Sequence, residues 1–128
     1  MVRIAILIGL FALPAAAQDI DCANAQAQQE LNACAYQAWE VADAELNEAY
    51  KAAIAARKDM DANMPEDLQG ADEALREAQR AWVAYRDLNC ESAGFPMRGG
   101  SAEPLLIYGC MEQMTIDRTA ELWAMTDY

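Results

Sequence analysis

Four cysteines, Cys22, Cys34, Cys90 and Cys110, constrain what this chain can fold into more than any other feature. Their use depends on the compartment, and the first residues speak to that. Arg3 is the only charge before Asp19, an apolar run follows from Ile4 to Leu13, and Pro14 then breaks the segment ahead of Ala15-Ala16-Ala17. A basic start, a short apolar stretch and a small-residue end make up the layout of a secretory leader. The run is too short to span a bilayer, which takes about 20 apolar residues, and no basic stop-transfer flank follows it. Cleavage is expected after Ala17, leaving residues 18–128 as one helical domain. Asp19-Ile20-Asp21 stands before Cys22 in place of the small-residue box of a lipoprotein. In a short exported chain an even cysteine count implies disulfides, here two, with three possible connectivities. Zinc is the competing use, but spacings of 12, 56 and 20 residues without any histidine do not form paired knuckles.

Removal of Arg3 with the leader leaves 8 basic against 21 acidic side chains, a net charge of −13. That charge repels nucleic acid and anionic membrane surfaces and attracts cationic proteins, at a rate that falls as salt rises.

Periodicity divides the remainder into three helices, without repeats or a domain linker. In the first, from about Asn24 to Arg57, Leu31, Ala35, Ala38, Ala42, Leu46, Ala49 and Ala53 share one stripe, with Glu40, Asn47 and Lys51 opposite. Pro65 and the acids Glu66 and Asp67 suit the first turn of a second helix, with Gly70 as a later alternative start. Its expected inner face is Ala71, Ala74, Leu75, Ala78, Ala81, Trp82 and Tyr85, to about Glu91. Ser92 to Gly100, with three glycines and a proline, reads as a loop. Ser101 then caps a third helix with Glu103 and Pro104 in its first turn. Its buried candidates are Ile107, Met111, Met114, Leu122 and Met125. The expected fold is all-α, a three-helix up-down-up bundle stapled by two disulfides.

The pairing follows from where the first helix starts. If it is continuous from Asn24, Cys22 and Cys34 lie about 18 Å apart along the axis, against the roughly 4.4–6.8 Å that a disulfide needs between Cα atoms. That favours Cys22–Cys90 with Cys34–Cys110, ahead of Cys34–Cys90 with Cys22–Cys110.

Four segments together resemble the LprI-like lysozyme-inhibitor family. They are Gln28-x-Glu30-Leu31-Asn32-x-Cys34-Ala35, then Ala42-Asp43-x-Glu45-Leu46-Asn47-x-x-Tyr50, then Ala78-Gln79-Arg80-x-Trp82-x-x-Tyr85-Arg86-Asp87-x-x-Cys90, and last Gly99-Gly100-Ser101 followed by Cys110-Met111-x-x-x-Thr115-x-x-Arg118. The third is the most specific. The resemblance implies a small helical envelope domain and, through the family name, inhibition of lysozyme.

Arg86 and Arg118 stand out as cations on faces that also carry apolar residues. Each is expected to pair with a carboxylate such as Asp43, Glu45 or Asp87 and so to tie helices together. Trp82 and Tyr85 read as core, and Trp39 or Trp123 as a possible exposed anchor. Phe95, Met97 and Arg98, on the glycine-rich loop, are candidates for partner contact. No catalytic, metal or cofactor residues are expected: nucleophilic catalysis lacks a histidine base, and a thin bundle offers no burial to raise a carboxyl pKa. The expected protein is a periplasmic or secreted non-enzymatic binding module for lysozyme or another cationic protein. An envelope structural or stress-related interaction protein is the alternative. The oligomeric state stays open.

Overall fold

The computed structural model describes residues 20–127, so the expected leader lies outside the described residues. Three helices account for the fold: α1 (Gln28–Ala62), α2 (Ala71–Gly94) and α3 (Glu103–Ala124). Single 3-10 turns lie at Glu66–Leu68 and Phe95–Met97. α1 is rich in Ala, Glu, Gln and Leu, all good helix formers, and its 35 residues reach about 52 Å. At its start Glu30 accepts the backbone N–H groups of Gln26 and Ala27, each at 3.2 Å, which satisfies donors that a helix end would otherwise leave unpaired.

Cross-helix contacts set the directions. Near the start of α1, Asn32 Nδ2 donates to the Ser101 carbonyl at 2.8 Å and the Tyr36 ring lies against Tyr108 at 5.1 Å. Further along, Arg86 joins Asp43 and Thr115. Beyond that, Leu46, Ala49, Ala53 and Ile54 of α1 bury against Leu75 of α2 and Leu122 of α3, with Tyr50, Trp82 and Met125 around them. α1 and α3 therefore run in the same direction and α2 returns between them, the up-down-up order. α3 packs most extensively on α1.

The α1 stripe holds in its second half, where Ala42, Leu46, Ala49 and Ala53 are buried; Leu31, Ala35 and Ala38 are half-buried. The inner face of α2 differs from the expected one. Its buried line is Leu75, Gln79, Arg86 and Cys90, while Ala74, Ala78, Ala81 and Tyr85 face solvent. Alanine costs little on either face, whereas Gln79 and Arg86 have partners inside. α3 shows the same effect: Met111 and Leu122 are buried as expected, but so are Thr115 and Thr119. Thr119 donates its hydroxyl to the Thr115 carbonyl one turn back, at 2.8 Å, which makes burial tolerable.

The disulfides correct the expected pairing. Cys22 bonds Cys34, with Cα atoms 5.6 Å apart, and Cys90 bonds Cys110, at 5.4 Å. Neither Cys22–Cys90 nor Cys34–Cys110 forms. The difference lies in the helix start. α1 begins at Gln28, and Cys22 sits in a turn in which Asp21 accepts the Ala23 N–H at 3.1 Å and the Asn24 side-chain amide at 2.7 Å. The segment then doubles back beside the first turns of α1. Each bond is therefore local, closing a loop of 12 or 20 residues. In the chain-entropy model such loops contribute about 3 kcal/mol each, against about 4.4 kcal/mol for the loops of roughly 70 residues that the expected pairing would close.

The helix starts shift as well. Pro65 opens only the one-turn 3-10 segment, and α2 proper starts after Gly70. Asp61 at the end of α1 reaches across the turn and accepts the N–H groups of Gly70, Ala71 and Asp72 at 3.0–3.1 Å. Three hydrogen bonds, with that of Ala71 the largest influence, hold its carboxyl below the ordinary value. Ser101 does not cap α3, whose N-cap is Ala102.

Candidate functional site

The buried ion pairs of Arg86 and an aromatic cluster lie in the half of the bundle that holds the disulfides. Arg86 is its inner anchor, with 5% of its surface exposed. Nη1 donates to Asp43 Oδ1 at 2.9 Å and to Thr115 Oγ1 at 3.2 Å, and Nε to Asp87 Oδ1 at 3.0 Å. Its guanidinium carbon lies 5.2 Å from the Trp82 ring and 5.6 Å from Trp39. A buried cation is tolerated only with such pairing and donor satisfaction, and here one side chain ties all three helices. Arg118 makes a second crossing, donating to Gln79 Oε1 at 3.0 Å and to Glu121 at 2.7 Å. Both arginines are engaged within the bundle, so neither is presented to a ligand. Glu45 is not among their partners. Thr115 and Gln79 belong to the segments that carry the family resemblance, but their burial and pairing had no local signal, since their partners lie 29 and 39 residues away.

Towards the end of the bundle, Tyr36, Trp39 and Tyr108 form an aromatic cluster with ring centroids 5.1–5.7 Å apart. A shallow groove of about 250 Å³ opens beside it, lined by Tyr36, Trp39, Glu40, Asp43, Ala44 and Asn47. Glu40 pushes the Tyr36 phenol above its ordinary pKa, first as a hydrogen-bonding neighbour and then through its charge. Of the two tryptophans offered as an exposed anchor, Trp39 has its indole Nε1 buried and without a partner among the described residues. Trp123 is half-exposed. Tyr85, expected in the core, is 60% exposed.

The α2–α3 connection is short and ordered. α2 continues to Gly94, past the expected end at Glu91, and a 3-10 turn covers Phe95–Met97. Gly94 permits the close approach of α3, since a Cβ there would meet Ile107 Cγ1 at 2.7 Å. Glu103 clamps the loop from the start of α3: it accepts the Gly99 N–H and Arg98 Nη1, both at 2.8 Å. Those bonds, Gly99 first, hold its carboxyl below the ordinary value. Gly99 takes φ +76°, which a side chain would strain. Arg98 stacks on Phe95 at 4.7 Å. Phe95, Met97 and Arg98 are about half-exposed at the tip, and Cys90–Cys110 closes the base.

Asp61 and Glu103, whose carboxyls lie below their ordinary values, accept backbone N–H groups and so serve as caps at the two turns. All four sulfurs are in disulfides and are not available as nucleophiles or metal ligands.

Residues 21–122 match the family model described as lysozyme inhibitor LprI. The chain belongs to the LprI lysozyme-inhibitor family. Two similar proteins add sequence and fold likeness. An uncharacterized protein of Rhizobium meliloti (strain 1021) is 49% identical over 114 residues, covering 85% of this chain and 82% of its own. The crystal structure of a DUF1311 family protein from Pseudomonas putida KT2440 superposes with a TM-score of 0.66 at 25% identity, covering 77% of this chain and 93% of that one. The LprI match spans all four cysteines, α1, α2, the 95–100 loop and α3 as far as Leu122. Two disulfides fit the oxidising compartments in which such bonds persist, and no described helix is long and apolar enough to cross a membrane.

Proposed function

We propose that this LprI-family chain is an exported, non-catalytic protein that binds lysozyme and blocks its activity. The leader is cleaved after Ala17, and residues 18–128 act in the periplasm or outside the cell. The family match over residues 21–122 carries the reading. The charge balance supports it: 8 basic side chains stand against 21 acidic ones after Arg3 is removed, and Glu40, Glu45, Asp59, Glu66, Asp67 and Asp117 have no basic partner among the described residues. Such a surface steers a cationic protein into encounter.

The test is direct. Purified residues 18–128 are mixed with c-type, g-type and i-type lysozymes at low and high salt, and cell-wall lysis and calorimetric binding are followed. Inhibition of at least one class, weaker at high salt, is expected. Absence of binding and inhibition in all three removes lysozyme as the partner and leaves an envelope interaction protein of another kind.

A further inference from the structure

We infer that the 95–100 loop is the element that enters the lysozyme cleft, with Arg98 set against the catalytic carboxyl pair and Phe95 and Met97 against the sugar-binding walls. The inference rests on the proposed lysozyme reading and adds the surface and the chemistry.

The partner's side of the contact follows from its reaction. A glycosidase cleft holds two carboxyl groups, roughly 5 Å apart in retaining enzymes, at the bottom of a concave sugar site. A protein that blocks it needs a convex element carrying a cation and apolar flanks. The acidic surface of this chain meets the cationic exterior of the partner, but it repels that acidic cleft. A local positive group is required.

The described basic residues leave one candidate. Arg86 and Arg118 are buried, with 6% and 11% of their side chains exposed. Lys51, Arg57, Lys58, Arg76 and Arg80 lie along the sides of α1 and α2, where a helix cylinder about 10 Å across is a poor fit to a cleft floor. Arg98 alone lies on a loop. Every residue from Phe95 to Ser101 is exposed, and the cation is flanked by the largest apolar side chains of that loop. The backbone of the tip is also held in shape by Glu103, which accepts the Gly99 N–H, and by Cys90–Cys110 at the base. Preorganisation of this kind lowers the entropy lost on docking. Arg98 exchanges its solvated pairing with Glu103 and Glu91, at 2.8 and 3.8 Å, for the cleft carboxyls.

The experiment uses residues 18–128 against c-type lysozyme, with Arg98→Gln, Phe95→Ala and the control Arg80→Gln, which makes the same change in net charge on the side of α2. Inhibition and affinity are measured with and without a chitooligosaccharide that fills the cleft. Thermal unfolding checks that each variant is folded. Arg98→Gln and Phe95→Ala are expected to weaken inhibition about tenfold, as central interface anchors do. Arg80→Gln should stay within about twofold, as a rim charge does, and the oligosaccharide should compete with the wild type. If the wild type inhibits while Arg98→Gln matches Arg80→Gln, or while the oligosaccharide does not compete, the loop is not the inserting element and the broader reading stands. If the wild type neither binds nor inhibits c-type lysozyme, the loop inference falls; the broader reading falls with it only when the g-type and i-type enzymes are also left unbound and uninhibited.

Discussion

The two halves of the bundle are held by different means. The half near the α1–α2 turn has the apolar core, with Leu46, Ala49, Ala53, Ile54, Leu75 and Leu122 in mutual contact. The half near the 95–100 loop has both disulfides, the Tyr36–Trp39–Tyr108 cluster and the Arg86 ion pairs, and the α1 stripe there is only half-buried. A domain of about 110 residues buries limited apolar surface. Here cross-links and polar ties take over where the core thins, and that is also the half carrying the exposed 95–100 loop. Rigidity at that end is obtained without filling it with the hydrophobic residues a core would need.

Leu122→Ala is the strongest challenge to that division. With the side chain fully buried, the change should cost about 3–4 kcal/mol, read as a fall in the denaturation midpoint, with both disulfides intact. Next, replacing Cys90 and Cys110 together by serine should cost about 3 kcal/mol and raise amide exchange in residues 92–102 before residues 46–54. Equal loosening of both halves would contradict independent fastening. Arg86→Ala should cost about 2 kcal/mol by leaving Thr115 and Asp43 short of a donor, with Arg86→Leu no better if pairing rather than volume matters. The smallest effect is acidic. Asp61 and Glu103 have folded pKa values below the ordinary 3.8 and 4.5. Their contribution is therefore fully present above those values and lost as pH falls through the folded ones. Amide exchange at residues 70–72 and at Gly99 should rise below about pH 4, and in Asp61→Asn the first of these should already be high at pH 7.

How much could be read beforehand varied by helix for a physical reason. α1 was legible because its apolar period is carried by Leu46 as well as alanines, and Glu40, Asn47 and Lys51 mark the outer side. α2 misled because Ala74, Ala78 and Ala81 are as comfortable in water as inside, while Gln79 and Arg86 are buried only because Arg118, Asp43 and Thr115 meet them from elsewhere in the chain. No local pattern reports such a partner. Arg86 and Arg118 are legible as cations among apolar residues, and both pair within the bundle. The disulfides were misassigned because a four-residue change in where α1 begins turns a rod into a hairpin. The capping roles of Asp61 and Glu103 were missed because each reaches backbone outside its own helix.

The bonding of each cysteine to its next neighbour along the chain has a topological consequence. Two consecutive rings that neither overlap nor enclose one another leave the path of the polypeptide unthreaded. Oxidation can therefore precede or follow the docking of α1 onto the α2–α3 hairpin, and a cross-linking enzyme that joins sulfurs in the order it meets them arrives at the native pattern with nothing to undo.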